Sequence, residues 1–255
     1  MTLVRDILAT LCELAPLELQ MEFDNSGFQI GHGEKPVTKA LLALDVTDEV
    51  VREAIDSGAE LIISHHPLLF RPPRRIVDSD PETGRILRLI EAGIAVISMH
   101  TNLDIAEGGV NDVLLRLLGA EPEAALDAEG CGRIGTLPEP VSMERFLARC
   151  RERLSVNGLR YVSSGRPVGR LAVMGGAGGD ALEDAFAKGC DTYVSADLKY
   201  HSFLRAQELG MNLIDADHFC TEQPVIPVLC EKLTQRFPDV SFRVSRKHGA
   251  AIRFA

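Results

Sequence analysis

The hydrophobic positions of this chain alternate between two periods. Leu3, Ile7, Leu8, Leu11 and Leu14 recur at the spacing of one helical face, which Pro16 stops. Ala40 to Leu44 is a short apolar run that predicts a buried strand ending at Asp45. Thr47 is placed to cap a helix through Val50, Val51, Ala54 and Ile55, and Gly58 to close it. Leu61-Ile62-Ile63 predicts a second buried strand, which runs directly into Ser64-His65-His66-Pro67. Asp80-Pro81 opens another helix with proline at its first position, and Gly93 ends it. Ile94 to Ser98 predicts a third strand, leading into Met99-His100-Thr101-Asn102-Leu103-Asp104, and a short helix from Asn111 to Leu118 closes this half.

The stretch from Ala120 to Gly135, rich in Glu, Ala and Gly, is the predicted boundary, and beyond it the pattern begins again. Ser142 caps a helix with Phe146, Leu147, Cys150 and Leu154 inward. Leu171 to Met174 is a strand running into Gly175–Gly179, and Asp180 with Glu183 predicts a capping box for the next helix. Strands at Thr192–Ser195 and Asn212–Ile214 flank a helix from Leu198 to Leu209. The second of them feeds Asp215-Ala216-Asp217-His218-Phe219-Cys220-Thr221-Glu222; a helix from Pro224 to Arg236 and a strand from Val240 to Val244 follow. The halves echo each other: AIDSGAELIISHHP reads like AFAKGCDTYVSADL, and EAGIAVISMHTNLD like QELGMNLIDADHFCTE. The expected fold is therefore α/β, with two related three-layer lobes forming an intertwined repeat of mostly parallel sheets. Residues 1–122, joined by 223–255, make the first lobe and 136–222 the second.

Composition narrows the function classes. A chain of 255 residues with 45% hydrophobic and 25% charged positions is ordinary for a globular protein of this size. Its formal net charge of -10 argues against binding a nucleic-acid backbone. No apolar run approaches the roughly 18 residues of a membrane span. Arg5 and Asp6 interrupt the first apolar pattern, so it reads as no signal peptide. Six cysteines without C-x-x-C spacing read as reduced thiols in a cytoplasmic protein.

The candidate chemistry lies at the predicted strand exits. Neighbouring side chains on extended backbone point to opposite sides, so His65 and His66 are placed to reach two different ions. The alternative has one of them hydrogen-bonded in the loop and the other exposed. His100 with Asp104, and His218 with Glu222, are four residues apart, so on a helical turn each pair could hold one ion. Ligands of open α/β sheets bind at the carboxyl ends of strands, and four of the seven histidines fall there, which favours a metal site. Histidine with carboxylate suits Zn, Fe, Mn, Co or Ni rather than Mg or Ca. Cys220 could touch metal but is expected to face the core, and Gly175–Gly179 could cradle a phosphate but is expected to be a tight turn, since it lacks the Lys and Ser/Thr of a P-loop and Asp180 would repel an anion. Lys199, Tyr200 and His201 suit a helix surface; Arg71, Arg74 and Arg75 form a solvated loop or attract an anionic substrate.

Asp24-Asn25-Ser26-Gly27, Leu42 to Thr47, Ser64 to Pro67, His100 to Asp104, Val194 to His201 and Asp217 to Glu222 together resemble the Nif-three-like dinuclear metal-centre family. They do so in the family's order and over nearly the whole chain. The resemblance implies two divalent ions per chain. His66 and Asp104 would ligate one, His65 and His218 the other, with Glu222 bridging, about 3.5 to 4 Å apart as in other two-metal sites. It implies that His100 lies beside them, supporting a ligand or facing the substrate, and we take His100 as the candidate catalytic group for proton transfer or for orienting the attacking water. It implies a homohexameric ring, and hydrolysis of a small nucleotide-like substrate, since some members are labelled a second type of GTP cyclohydrolase I. A non-catalytic metal carrier or regulatory scaffold is the alternative reading. Phe23 and Phe219 replace the family's usual Trp and Tyr, and the tail from Arg246 to Phe254 lacks the expected acidic-aromatic character.

Overall fold

The computed structural model describes residues 1–253, so of the divergent tail only Phe254 lies outside the described residues. The chain divides into two compact units. The first holds Met1–Ala106 and Ile226–Gly249; the second is built on Glu107–Val225.

Unit 1 opens with helix α1 (Val4–Leu14), then strands β1 (Gly27–Ile30) and β2 (Lys39–Ala43), helix α2 (Asp48–Ser57) and strand β3 (Leu61–Ser64). Helix α3 (Pro81–Glu91), strand β4 (Ala95–Ser98) and the short helix α4 (Thr101–Ile105) follow. In unit 2 come helix α5 (Val110–Leu117), strands β5 (Ala124–Ala125) and β6 (Arg133–Val141), helix α6 (Met143–Leu154), and strands β7 (Arg160–Val162) and β8 (Val168–Val173). It continues with helix α7 (Leu182–Ala187), strand β9 (Thr192–Ser195), helix α8 (Tyr200–Leu209), strand β10 (Asn212–Asp215) and helix α9 (His218–Glu222). Helix α10 (Val225–Arg236) and strand β11 (Ser241–Val244) return the chain to unit 1.

Local signals explain most helix ends. Thr47 accepts a hydrogen bond from the Val50 amide, and Gly58 ends α2 in the left-handed conformation at φ 66°. Asp80 accepts from Glu82 and Thr83 at 3.0 and 2.9 Å, with Pro81 at the first helical position. Ser142 accepts from the Arg145 amide, and Phe146, Leu147, Cys150 and Leu154 are buried. One expectation fails. Asp180 and Glu183 form no capping box, because Gly179–Ala181 tightens into a 3-10 turn and α7 begins after it without a side-chain cap. The Glu183 carboxylate pairs instead with Arg205 at 2.6 Å.

The unit 1 sheet runs β1-β4-β3-β2-β11, parallel except for β1, which pairs antiparallel with β4. All four residues of β3 and of β4 are buried, as a strand covered on both faces requires. Leu41, Ile62 and Val96 pack on one face with Val50, Val51 and Ala54 of α2 and Ile86 and Leu89 of α3.

The unit 2 sheet runs β5-β6-β8-β9-β10-β7 and is more mixed, since only β8-β9 and β9-β10 are parallel. Its two faces carry separate cores. Leu171, Val173, Val194 and Ile214 pack with α5 and α6, while Ala172, Tyr193 and Leu213 pack with Leu182 and Ala185 of α7 and Ala206 of α8. The result is three layers. Helix α5, which the sequence counts with the first half, belongs here because Leu114, Leu115 and Leu118 join that first core. The stretch 120–135 is no bare linker either: Ala124 pairs with Ile134 in the sheet. Proline hides β6 from the sequence pattern. Pro138 and Pro140 sit in an irregularity between the Thr136–Arg170 and Val141–Val168 pairs, where no ladder donor is missed.

Candidate metal centre

In unit 1 the exits of β3 and β4 bring three imidazoles together. His65 is fully buried, with Nδ1 2.8 Å from the Met99 carbonyl oxygen. A carbonyl only accepts, so Nδ1 carries the proton and Nε2 presents its lone pair. His66 turns the other way and donates from Nδ1 to Asp45 Oδ1 at 2.6 Å. His100 donates from Nδ1 to Asp24 Oδ1 at 2.7 Å. The ring centroids of the three lie 4.9, 5.2 and 5.5 Å apart, and one ligand nitrogen from each falls within 4.8 Å of the others.

The carboxylates behind these rings are held in their ionised form. Burial alone would raise the Asp24 carboxyl, but hydrogen bonds from His100, Thr101 and Ser26, with the charge of His100, hold it well below the usual range. It accepts from the Thr101 amide at 3.0 Å and from Ser26 Oγ at 2.8 Å. Asp45 is likewise raised by burial and more than compensated by hydrogen bonds from His248 and His66. His248 Nε2 lies 2.9 Å from Asp45 Oδ2, so the tail closes behind His66. Asp104 places Oδ1 3.6 Å from His65 Nε2. Two electron-rich atoms facing each other are stabilised by a proton or a cation between them. That distance associates Asp104 with His65, whereas the i, i+4 spacing pairs it with His100 and the family resemblance with His66.

In unit 2 the exit of β10 carries a second cluster. Asp217 precedes α9 at φ 68° and its side chain accepts from the Cys220 amide at 3.1 Å. Aspartate tolerates that left-handed backbone better than most residues. His218 and Glu222 then share one face of α9, with Nε2 and Oε2 3.1 Å apart, as the spacing predicts. His218 donates from Nδ1 to Asp197 Oδ2 at 2.8 Å. Glu222 is 4% exposed.

Room for that carboxylate comes from the glycine loop after β8. A Cβ on Gly176, whose φ is +67°, would collide with Glu222 Oε1 and approach His218 Nε2 at 3.2 Å. The loop is a built turn rather than a phosphate cradle. Tyr193 Oη donates to the Gly178 carbonyl at 2.6 Å, Ser195 Oγ to that of Gly176 at 3.1 Å, and the Gly176 amide to Thr221 Oγ1 at 3.1 Å.

Cys220 packs in the core with Leu114 and Ile214. Burial first, and then Asp217, pushes its thiol up to about 12, which disfavours the thiolate a metal needs. Tyr200 and His201 are exposed on α8, and Arg71, Arg74 and Arg75 lie in an exposed loop.

Each of the four histidines thus has Nδ1 anchored on an oxygen, which leaves Nε2 with its lone pair available to a ligand or a proton, the arrangement metal-binding histidines show. With Asp104 in unit 1 and Glu222 in unit 2, each unit by itself offers the nitrogen and oxygen donors that suit a borderline divalent ion. The orienting groups Asp24, Asp45, Asp197 and His248 escape single-residue reasoning. The signal for two of them is positional: Asp45 ends a strand, and Asp197 holds the place that His66 holds in the internal repeat.

A family model described as Duf34/NIF3 (NGG1p interacting factor 3) matches residues 2–249. The chain belongs to this family. A relative from Clostridium perfringens named GTP cyclohydrolase 1 type 2 homolog is 37% identical over 252 residues, covering 96% of each chain. Among solved structures, a Bacillus cereus protein related to NIF3 superposes at TM-score 0.91 with 26% identity, over 100% of this chain and 99% of its own. The reduced HcgD protein of Methanocaldococcus jannaschii superposes at 0.84 with 31% identity, over 95% and 97%. The two-sheet α/β fold is thus the family fold.

Proposed function

We propose that this protein is a metal-dependent hydrolase of a small nucleotide-like substrate, with His65, His66, Asp104, His218 and Glu222 as ligands to two divalent ions. The observation that carries the reading is the common anchoring of Nδ1 in His65, His66, His100 and His218. Such anchoring fixes the tautomer and the ring plane before a ligand arrives. Bound there, a divalent pair would supply Lewis-acid polarisation and bring the ionisation of water toward neutrality.

The chain's own groups account for the remaining requirements. Asp24 keeps His100 oriented, and His100 is the candidate to accept a proton from the attacking water and return it to the leaving group. Phe70 stands edge-on to His100 at 5.9 Å between centroids, with Phe23 against Phe70 at 6.4 Å. Phe23 is 64% exposed. An exposed aromatic pair beside a proton-transfer group supports a substrate with a flat ring. The relative named as a GTP cyclohydrolase homolog points to the same class. The proposed assembly is a homohexamer, which native mass measurement tests; a monomer at micromolar concentration rejects it.

The test of activity is metal content and GTP hydrolysis for wild type and His100→Ala. His100→Ala keeps most of its metal and loses turnover by about 10²- to 10⁴-fold, the usual contribution of general acid-base catalysis. If metal-loaded wild type hydrolyses nothing above buffer while its metal exchanges freely, the protein is instead a metal carrier or scaffold. Complete loss of metal in His100→Ala makes His100 a ligand.

A further inference from the structure

Unit 2 contains a cavity of about 570 Å³ that none of the residues discussed above as ligands or orienting groups lines. Its charged rim is Arg116 of α5 and Arg145, Arg149 and Arg153 of α6, against a single lining carboxylate, Glu139. In a chain of net charge -10 this is a local inversion of sign. The three α6 arginines follow one another at i, i+4 and i+8, which stacks like charges along one helix face. Arg145 also lies in the first turn, where the helix dipole already favours an anion.

The rim is partly set in place. Arg149 donates from Nη1 to the Leu118 carbonyl at 2.9 Å, at the carboxyl end of α5. Arg116 is balanced by Glu121 at 3.0 Å and Asp112 at 3.8 Å. Arg145 and Arg153 pair with no carboxylate among the described residues. The apolar part of the lining is Leu137, Pro138, Pro140 and Val141, at and beside the irregular part of β6. A volume of this size suits a small organic ligand.

We infer that this cavity binds a small organic polyphosphate. Guanidinium groups fork onto phosphate oxygens, and a row of them about 5–6 Å apart at Cβ suits consecutive phosphates rather than one. The apolar part of the lining takes the organic body. The site goes beyond the proposed hydrolase function and uses none of its residues.

Isothermal titration calorimetry on the full chain, stripped of metal by chelation and held in phosphate-free buffer at low ionic strength, tests the inference. The probes are inorganic tripolyphosphate, GTP and guanosine. Tripolyphosphate and GTP bind, weaken as salt is added, and lose at least about tenfold in affinity in the Arg145→Ser/Arg153→Ser variant. Guanosine gives no heat, and Glu222→Gln binds both anions like wild type, which separates this site from the proposed metal centre. Unchanged affinity in the double variant, provided its circular-dichroism melt matches wild type, overturns the inference. So does silence of both anions, or guanosine binding as tightly as GTP. Should the double variant fail to fold, Arg145→Ser alone is held to the same criterion with an expected loss of several-fold.

Discussion

Units 1 and 2 use one backbone plan for different chemistry. In each, three parallel strands (β2, β3, β4 and β8, β9, β10) are flanked by an antiparallel edge strand, β1 or β7. The first strand exits into Asp45 in unit 1, where it orients His66, and into the glycine loop in unit 2, where Gly176 makes space for Glu222. The second exits into His65-His66 in unit 1 and Ala196-Asp197 in unit 2, so the place of the imidazole His66 in one is taken in the other by the carboxylate that orients His218. The third exits into His100 and into Asp217-His218. Here the repeat slips by one residue: His100 sits at the N-cap of α4, while Asp217 takes that place in α9 and His218 is the first helical residue. His218 and Glu222 therefore both lie within α9 and face each other, whereas His100 stands at the non-helical N-cap of α4, off the face that carries Asp104, and Asp104 associates with His65.

The two units can be set against each other by mutation. Largest should be Glu222→Ala, which removes the only carboxylate proposed to touch both ions. Elemental analysis should fall from about two ions per chain to near zero, and full retention would end the bridging assignment. Next is Gly176→Ala, which adds a methyl at a left-handed position against Glu222. Urea unfolding should show a loss of about 2–4 kcal/mol together with lost metal, whereas Gly189→Ala, also at positive φ but with open space around it, should lose less. Asp45→Asn in unit 1 and Asp197→Asn in unit 2 each remove the charge that anchors one histidine Nδ1, from different places in the repeat. Competition with a chelating dye should show affinity lowered about 10- to 100-fold in each, and an effect in one unit alone would set the two anchors apart.

The smallest effect is in pH dependence, where two sets of partly buried groups, the Asp24 and Asp45 carboxyls and the Cys150, Cys190 and Cys220 thiols, act with opposite sign. Asp24 and Asp45 have carboxyls held below their ordinary value near 3.9. Their stabilisation is complete above about pH 4 and is lost as pH falls through the depressed values. In unit 2, burial pushes Cys150, Cys190 and Cys220 up to about 12, 11 and 12. The folded state then holds protons that the unfolded state releases from about pH 8.5 upward, so stability is full below that pH and falls toward 11 and 12. Urea midpoints should decline across this alkaline window, and Cys220→Ala should make the decline shallower. An unchanged slope in that variant would mean that Cys220 is not the buried thiol described.

Legible in the linear chain are the buried strands, the caps at Thr47, Asp80 and Ser142, the exits carrying His65, His66, His100 and His218, and the pairing of His218 with Glu222. All of these depend on side-chain period or on hydrogen bonds within four residues, which a linear pattern encodes. What it misread was settled through space. Asp180 lost its cap to a turn tied down by β9, and β6 hid its prolines in an irregularity opposite β8. Only the tertiary structure could bring Asp24 behind His100 across 76 positions, or His248 behind Asp45, because nothing in the spacing of those residues implies contact. Chain position names the groups that can bind; the oxygen that anchors each Nδ1, and so the nitrogen that presents its lone pair, is chosen by the packed sheet.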